Sequence, residues 1–368
     1  MSKPRILFSV PTRHHVEIAL DELTGLQKLG YSCEQFPYAA KEGVQSKIGR
    51  LKVIVQNALT LVKTARKFNP DVIYFNSRLE VLAGIRDFIT IAICKICYRG
   101  KVSFVVKSHG SDIDVLGNKE GFFGKIVLPY LKKNIDGWLF LSTEERRKAI
   151  ETGYLAADKV FVTKNIVRTH HFNTDAAFKS NMGIPPDHQL LLFVGRLINE
   201  KGIYEVVKAF AQVADQHPES TLLIVGWGHE LEGLKAITKT LKLEHRVIFT
   251  GFIPEADVVQ FYANCDILVF PTYFPEGFPM ALFNSVAAGM AIITTPTRAA
   301  TDYLQQPNNC LWVEAQNFNS VSMALHQLLQ SPNLVNTMKQ NNATKGVEFG
   351  CDRVAEELSK IIEQITNK

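Results

Sequence analysis

The feature that most limits how this chain can fold is its alternation of short apolar runs with longer helical patterns. Runs rich in Val, Ile and Phe are followed by helix-like periodicity and then by another apolar run. In the first half the strand candidates are RILFSV, DVIYFN, VSFVVK and GWLFLS, and the helix candidates are residues 15–29, 79–97 and 118–134. This order predicts a parallel sheet with helices on both faces, and hence an α/β fold.

A polar segment with Pro185-Pro186 interrupts the alternation at residues 164–189. Beyond it the alternation starts again, with LLLFVG, TLLIVG, RVIFTG, DILVFP and AIITTP as strand candidates. A chain of 368 residues is longer than one ordinary hydrophobic core requires. We therefore predict two doubly wound, Rossmann-like domains, one over residues 1–170 and one over 171–350. The last helix candidate, within 351–368, could pack back on the first domain.

The two halves of the chain differ in charge. Residues 1–180 hold 28 Lys and Arg against 17 Asp and Glu, whereas residues 181–368 hold 13 against 19. Six cations flank the apolar run LKVIVQNALTLV, namely Lys47, Arg50, Lys52, Lys63, Arg66 and Lys67. A second stretch, GFFGKIVLPYLKK at 121–133, joins aromatic residues to lysines. These patterns indicate either solvated basic surface or a face that binds an anionic membrane.

Other protein classes are disfavoured by the same sequence. The N-terminus passes directly into a strand-like run, and the most apolar later stretch, residues 81–97, is interrupted by charged side chains. We therefore expect neither a signal peptide nor a membrane span. The six cysteines are scattered along the chain, which is not the pattern of a disulfide framework. The expected location is cytoplasmic, on the inner face of the cytoplasmic membrane if the basic patterns bind lipid.

Ligands of open α/β sheets bind beyond the carboxyl ends of strands, so we expect the ligand contacts in the loops there. The strand candidate LLFVG leads into Gly195-Arg196, and Lys201-Gly202 opens the next helix. Two cations and a helix N-terminus above one edge of a sheet attract phosphate. A solvent-exposed Arg and Lys with no ligand is the alternative interpretation of the same pair.

Two further turns follow the next strands. Gly226-Trp227-Gly228 begins like a dinucleotide-binding motif, but Leu231 stands where the third glycine is needed, so a nicotinamide site is weakly indicated. A tight turn that lets a nucleotide approach the backbone is the other possibility. The turn after RVIFTG exposes Phe252 or Ile253, which would form an apolar border for a planar base or serve only as a structural turn.

The stretch FPEGFPMALFN places a carboxylate, Glu276, in a loop before a helix whose first turn suits Pro279. We expect Glu276 to project, unpaired, toward Arg196 and Lys201, where it would accept hydrogen bonds from sugar hydroxyls. Asn284 lies past the first turn of that helix and could hydrogen-bond to a ribose. A solvated loop acid is the alternative for Glu276.

In the first half, VSFVVK ends in Ser108-His109-Gly110, and a histidine at the carboxyl end of a strand favours a functional role over a place in the core. Asp112-Ile113-Asp114 spells the Asp-x-Asp of metal-dependent sugar transferases. We discount that match, because two aspartates at this spacing are common and Asp112 suits the cap of a following helix or turn.

Taken in order, GRLxxxKG after a strand, then VGxG, GFIP and PEGFP with its helix, the second half resembles glycosyltransferase family 4 of the GT-B fold. His109-Gly110 extends the resemblance more loosely over the first half. The resemblance implies retaining transfer of a sugar from a nucleotide diphosphate to an acceptor hydroxyl, without a metal, between two Rossmann-like domains. Such enzymes build cell-surface polysaccharide and lipopolysaccharide.

By position, the resemblance implies a role for each motif residue. Arg196 and Lys201 match the pair that holds the diphosphate and stabilises it as the leaving group. His109 matches a histidine that touches a donor hydroxyl near the reacting carbon. The donor-sugar and base contacts match Glu276, the backbone of Gly277, Phe278 and Met280, and Ile253, with Asn284 on the ribose. The implied catalytic residues are His109, Glu276, Arg196 and Lys201.

The chain departs from the family pattern at two places that bear on substrates. The second Glu of the family's E-x7-E element is Asn284 here, which keeps hydrogen bonding but lacks charge. After the first strand, where relatives usually carry glycines, stand Pro11, Thr12 and then Arg13, His14 and His15. This bulkier, more cationic loop indicates a different grip on the acceptor, and we take Arg13, His14 and His15 as acceptor-side candidates.

The expected partners are a UDP or GDP sugar, a glycan or lipid-linked acceptor and an anionic membrane surface, with no nucleic acid and no metal or other cofactor. Three alternatives stay open at this stage. They are a transferase acting on a soluble acceptor, a non-catalytic sugar-nucleotide binder and a nicotinamide dehydrogenase, which shares doubly wound domains but lacks the complete glycine motif.

Overall fold

The computed structural model describes residues 3–11, 16–38 and 46–367. The chain divides into two compact units. The first comprises Met1–Ile166 together with Cys351–Lys368, and the second comprises Val167–Gly350. The chain passes from the first unit to the second between Ile166 and Val167, whereas the sequence interpretation set a boundary at residue 170. Much of the polar segment 164–189 is folded into the second unit, which includes a short helix at Phe178–Asn181.

The first unit contains a six-stranded sheet and the helices that connect its strands. The strands are β1 (Ile6–Val10), β2 (Cys33–Pro37), β3 (Val72–Leu79), β4 (Ser103–Ser111), β5 (Gly137–Phe140) and β6 (Val160–Val162). The helices are α1 (Val16–Lys28), α2 (Lys47–Phe68), α3 (Val81–Cys97), α4 (Leu128–Asn134), α5 (Thr143–Glu151) and, from the chain's end, α14 (Cys351–Thr366). The strands pair in parallel in the order β2-β1-β3-β4-β5-β6.

Helices bury both faces of the first sheet, as its near-continuous apolar strands require. On one face the core includes Leu61 of α2 and Ile91 of α3, neither of them accessible to solvent. On the other face Leu26 of α1 packs with Leu358 and Ile362 of α14, also fully buried. The last helix therefore completes the core of the first unit, although 184 residues of the second unit separate it from the rest of that unit in sequence.

The second unit repeats this architecture. Its strands are β7 (Gln189–Val194), β8 (Ser220–Val225), β9 (Val247–Gly251), β10 (Ile267–Phe270), β11 (Ala291–Thr294) and β12 (Leu311–Trp312). Its helices are α6 (Phe178–Asn181), α7 (Ile203–Val213), α8 (Leu231–Thr240), α9 (Glu255–Asn264), α10 (Met280–Ala287), α11 (Arg298–Tyr303), α12 (Phe318–Leu329) and α13 (Pro332–Gly346). The order of the parallel strands is β12-β11-β10-β7-β8-β9.

The strand orders locate the switch point of each sheet, where neighbouring connections leave in opposite directions. In the first sheet this point lies between β1 and β3, and in the second it lies between β7 and β10. Because diverging connections open a crevice beyond the strands' carboxyl ends, a switch point is where such sheets bind ligands. The two points single out the loops after four of the twelve strands.

The predicted α/β fold with two parallel sheets is confirmed, and the strand candidates named above all form strands. Three strands went unpredicted: β2, whose sequence CEQFP is largely polar, the three-residue β6 and the two-residue β12. The helix predicted from residue 118 begins at 121 and contains a π-helical turn at Phe123–Val127. Among the described residues, no helix combines the length and the apolar character that crossing a membrane needs.

Candidate functional site

The loop after β7 holds Arg196 and Lys201 at the switch point of the second sheet. A short 3-10 turn at Asn199–Lys201 precedes α7 and ends at Gly202, whose φ is +72°. A β-carbon on Gly202 would lie 2.4 Å from the carbonyl oxygen of Pro271, the residue after β10. Glycine is therefore required there by backbone conformation and by the close approach of the two loops.

Backbone hydrogen bonds join the loop after β7 to the loop after β10. The carbonyl oxygen of Glu200 accepts from the backbone N–H of Tyr273 at 2.9 Å and of Phe274 at 3.0 Å. The hydroxyl of Thr272 approaches the same oxygen at 3.3 Å. This contact fixes Glu276 relative to Lys201, although 75 positions separate them in sequence.

Lys201 and Glu276 form an ion pair, in which Lys201 Nζ donates to Glu276 Oε1. The expectation that Glu276 is unpaired was wrong, because the docked loops bring its carboxylate onto the nearest ammonium group. The side chain of Lys201 is only 4% exposed, whereas that of Glu276 is 28% exposed. The carboxylate thus reaches solvent while the ammonium group is almost fully covered.

Aromatic rings lie beside the two cations. The ring of Phe274 lies 4.8 Å from the guanidinium carbon of Arg196 and 5.0 Å from Lys201 Nζ, and Phe270 lies 5.4 Å from the same ammonium nitrogen. Cations at these distances are attracted by the ring faces. Within the described ranges Arg196 forms no ion pair, so its charge is available to an anionic ligand.

Burial lowers the pKa of Lys201, although the neighbouring carboxylate of Glu276 opposes the change and Arg196 adds to it. Desolvation of the ammonium group is the largest of these effects. A dianionic ligand at this position would favour the charged form of Lys201 and raise its pKa again.

The glycines of the loop after β8 have a packing role. A β-carbon on Gly226 would lie 1.9 Å from the carbonyl oxygen of Gly195, and one on Gly228 would lie 2.2 Å from that of Leu197. These glycines let the loops after β7 and β8 touch backbone to backbone, so they give no support to a nicotinamide site. The indole of Trp227 between them is 66% exposed.

The remaining candidates in the loop before α10 have different environments. The ring of Phe278 is buried and stacks on Phe283 with 3.7 Å between ring centroids, so a ligand could contact Phe278 only through its backbone. Gly277 is buried, and Met280 is half-buried as the first residue of α10. The first amide groups of a helix lack intrahelical acceptors, which leaves those of α10 suited to hydroxyl or anionic groups.

Asn284 is half-buried on α10 and hydrogen-bonds to the hydroxyl of Tyr262 on α9. Burial, the dominant effect, raises the pKa of Tyr262. The contact links α10 to the helix that follows the β9 turn, a connection that sequence interpretation missed. In that turn the ring of Phe252 is 75% exposed and Ile253 is half-buried, so Phe252 offers the larger apolar surface.

In the first unit, His109 lies within β4, which continues to Ser111, and it is buried. Its Nε2 lies 2.8 Å from Oδ1 of Asn76 on β3. Asn76 in turn contacts Ser9 at the end of β1, so the three side chains cross the switch point of the first sheet. Asn76 was not a candidate in the sequence, where it is one polar residue at the end of an apolar strand.

The acceptor-side candidates Arg13, His14 and His15 lie outside the described residues. Within residues 3–11, 16–38 and 46–367, no three His, Cys, Asp or Glu side chains come together as a set of metal ligands. Asp112 and Asp114, discounted above, flank the start of a 3-10 helix at Ile113–Gly117.

Comparison with known families identifies the domain that contains Arg196, Lys201 and Glu276. Residues 175–345 match the family model described as glycosyl transferases group 1. This match covers most of the second unit. The motifs that suggested a sugar transferase and the paired side chains at the β7–β10 switch point lie within it.

Similar proteins are named as glycosyltransferases. The chain is 26% identical over 212 residues to the uncharacterized glycosyltransferase MJ1607 of Methanocaldococcus jannaschii, an alignment covering 55% of this chain and 54% of that protein. It is 27% identical over 175 residues to a Campylobacter jejuni N-acetylgalactosaminyltransferase whose name specifies a diphospho-undecaprenol-linked acceptor, covering 47% and 46% of the two chains. The chain spans about half the length of the curated relatives it matches.

Solved structures confirm the GT-B fold over both units of the chain. A glycosyltransferase from Rickettsia africae ESF-5 aligns with a TM-score of 0.78 and 17% identity, covering 99% of each chain. Anabaena Alr3699/HepE, solved in complex with UDP and glucose, aligns with a TM-score of 0.74 and 17% identity, covering 98% of this chain and 99% of that one. The chain that contains the matched residues therefore has the GT-B fold.

Proposed function

We propose that this protein is a glycosyltransferase that moves a hexose or N-acetylhexosamine from a nucleotide diphosphate sugar to an acceptor hydroxyl. The observation that carries the proposal is the cluster at the β7–β10 switch point of the group 1 domain. There Arg196 lacks an ion-pair partner among the described side chains, while the buried Lys201 is held by Glu276. One face of the cluster suits a diphosphate and the other suits sugar hydroxyls.

The proposed leaving group is the nucleotide diphosphate, on which negative charge grows as the bond to the sugar breaks. Lys201 is held in place before the reaction by its ion pair with Glu276, and Arg196 lies beside the ring of Phe274. Preorganised cations stabilise developing charge without further reorganisation. The ammonium group of Lys201 has three donors and gives one to Glu276, so two remain for phosphate oxygens.

The partly exposed carboxylate of Glu276 is proposed to accept hydrogen bonds from the donor sugar, together with backbone groups of Gly277, Phe278 and Met280. Ile253, with its neighbour Phe252, is proposed to border the base. His109 is proposed to contact a donor hydroxyl near the reacting carbon. The Anabaena structure with UDP favours a uridine donor over a guanosine one.

Retention of configuration and independence of metal belong to this proposal. Two cations can neutralise a diphosphate in the way that a divalent ion does elsewhere. The expected result is transfer that persists in excess EDTA and yields a product with the donor's anomeric configuration, measured by NMR. Loss of transfer in EDTA with recovery on adding Mg²⁺ or Mn²⁺ would contradict the proposed independence of metal.

The direct test of the transferase proposal is turnover of UDP-sugars with and without Arg196. We expect Arg196→Ala to lower transfer by about one to two orders of magnitude, because charge is lost at the leaving group. Lys339→Met is the control, since Lys339 pairs with Asp266 at the amino end of β10, away from the switch point. Near-wild-type turnover of Arg196→Ala would refute the role, and nucleotide binding without any transfer would favour a non-catalytic binder.

The acceptor is proposed to be a glycan carried by a lipid, as in the synthesis of cell-surface polysaccharide, with the first unit resting on an anionic membrane. The Campylobacter relative is named for a lipid-diphosphate-linked acceptor. Exposed apolar side chains occur at the start of α2, at the start of α3 and in or next to the π-helical turn, namely Ile48, Leu51, Leu82, Phe122 and Ile126. In a parallel sheet the connecting helices begin beyond the strands' carboxyl ends, so these side chains occupy one edge of the unit.

Basic residues accompany this edge and complement an anionic surface, namely Lys47, Arg50, Lys52, Lys119 and Lys125. We expect the protein to float with liposomes rich in anionic lipid and not with neutral ones. The double variant Ile48→Glu and Leu51→Glu should lose flotation, whereas Met323→Glu, an exposed position in the second unit, should retain it. Equal flotation with neutral liposomes would contradict the preference for an anionic surface, and no flotation at all would favour a soluble acceptor.

A further inference from the structure

A chain of buried polar groups crosses the switch point of the first sheet and ends at His109. It consists of Ser9 at the end of β1, Asn76 on β3 and His109 on β4, each no more than 5% exposed. Three adjacent strands therefore contribute one residue each. Polar groups buried at this depth are costly unless their hydrogen bonds are satisfied, so the direction of each bond is constrained.

The direction is set by the backbone carbonyl of Ser9, which can only accept. Asn76 Nδ2 donates to this oxygen at 3.2 Å. The amide of Asn76 is thereby oriented with Oδ1 toward His109, at 2.8 Å from Nε2. Since Oδ1 can only accept, Nε2 of His109 must carry the proton, and in the neutral ring Nδ1 is the nitrogen with a lone pair.

The backbone of Asn76 is held independently of its side chain. Its N–H donates to the hydroxyl of Ser9 at 2.6 Å, a contact that replaces the regular ladder beyond the last paired residues of β1 and β3. Ser9 therefore acts twice, with its hydroxyl on the backbone of Asn76 and with its carbonyl on the side chain. Only the second contact orients the histidine.

We propose that Asn76 is a positioning residue, which holds His109 as the Nε2–H tautomer so that Nδ1 accepts a hydrogen bond from a hydroxyl of the donor sugar. This inference rests on the proposed function for the identity of the ligand. It makes His109 an acceptor rather than a donor toward substrate. The donor sugar must then present a hydroxyl, and not only an ether or carbonyl oxygen, to this ring.

The tautomer is measured directly in the unmodified protein labelled with ¹⁵N-histidine. Long-range ¹H–¹⁵N NMR spectra distinguish a protonated Nε2 from a protonated Nδ1. The chain contains ten histidines, and the signals of His109 are identified by their absence in a His109→Gln variant. We expect a protonated Nε2 and an unprotonated Nδ1 at a pH where the ring is neutral, and a protonated Nδ1 would overturn the proposal whatever the activity.

The role of Asn76 is tested by comparing Asn76→Ala with Ser9→Ala. The first removes the acceptor for Nε2–H and should let both tautomers appear, with transfer falling about three- to tenfold for one lost hydrogen bond. The second removes the backbone contact at the same buried place but keeps the carbonyl, so the spectrum of His109 should stay that of the single tautomer. Loss of the single tautomer in both variants would mean that Asn76 acts only through packing.

The spectra and the transfer assay together distinguish a failure of the Asn76 proposal from a failure of the transferase proposal. Mixed tautomers in Asn76→Ala with undiminished transfer would overturn the positioning role, while leaving the transferase proposal intact. A wild-type protein that shows the Nε2–H tautomer but transfers no sugar would overturn the proposed function instead. Both the single tautomer and the selective loss of transfer in Asn76→Ala are needed to support the proposal.

Discussion

Replacing Lys201 by Met separates a binding role of the Lys201–Glu276 pair from a structural one. Met has a similar length, fills the same apolar surroundings between Phe270 and Phe274, and carries no charge. Removing one partner from a fully buried ion pair usually costs about 3 to 5 kcal/mol, because the other charge stays buried alone. Here the remaining partner, Glu276, is 28% exposed and can be hydrated.

Two features predict that stability changes little in this variant. The lowered pKa of Lys201 means that desolvation outweighs the attraction of Glu276, so deleting the charge also removes that cost. The methylene groups of Lys201 are replaced by a side chain of comparable volume, which conserves packing. We therefore expect the free energy of unfolding to stay within about 1 kcal/mol of wild type.

Ligand binding should respond strongly. A charge-assisted hydrogen bond to phosphate contributes about 1.5 to 3 kcal/mol, which corresponds to a Kd for UDP about 10- to 150-fold higher in Lys201→Met. Sugar transfer should fall at least as much, since charge on the diphosphate grows as the reaction proceeds.

Calorimetric titration gives the Kd for UDP, and urea unfolding gives the free energy of unfolding. The matched control is Lys339→Met, which removes a paired lysine at the other end of β10. Unchanged UDP affinity in Lys201→Met would refute the binding role. A loss of more than about 3 kcal/mol in unfolding would show that the pair serves the fold instead.

Three further predictions follow from buried groups. Because burial lowers the pKa of Lys201, the unfolded chain binds more protons than the folded one between that pKa and 10.5. Urea titrations should therefore show wild type gaining stability relative to Lys201→Met as the pH rises through this window. Asn284→Glu should keep or improve UDP affinity in calorimetry, since a carboxylate can accept from ribose hydroxyls as the amide oxygen can, and a collapse of binding would contradict its placement toward ribose. Burial raises the pKa of the Cys94 and Cys310 thiols to about 12, so mass spectrometry should find neither alkylated by iodoacetamide at pH 8 until urea unfolds the chain.

Much of the fold was predictable because its signals are local. Apolar runs such as LLLFVG and TLLIVG report burial on both faces of a sheet, and the helical periodicity between them reports a parallel crossover. The polar strand β2 and the short β6 lack this signal, since neighbouring strands supply their pairing. The sequence of α14 does not by itself predict the unit on which this helix packs.

The candidate site was predictable as a set of residues but not as a set of contacts. Gly202 and Gly226 lie in loops where two backbones approach closely, and a glycine in such a loop can be predicted from sequence to allow a close approach. The pairing of Glu276 with Lys201 was missed, because it depends on the docking of two loops through the carbonyl of Glu200. Asn76 was missed for the same reason, since its role depends on contacts with Ser9 on β1 and His109 on β4.

The sequence by itself determined the alternating α/β architecture, the concentration of basic charge in the first half and the motif positions of a sugar transferase. Only the tertiary structure decided which strands flank the switch points, which of the two cations after β7 pairs with Glu276 and which ring nitrogen of His109 lies against Asn76. The physical reason is the separation along the chain over which each effect acts. Periodicity and backbone permissiveness act between near neighbours in the chain, whereas ion pairing, burial and hydrogen-bond direction depend on residues that meet only when distant strands align.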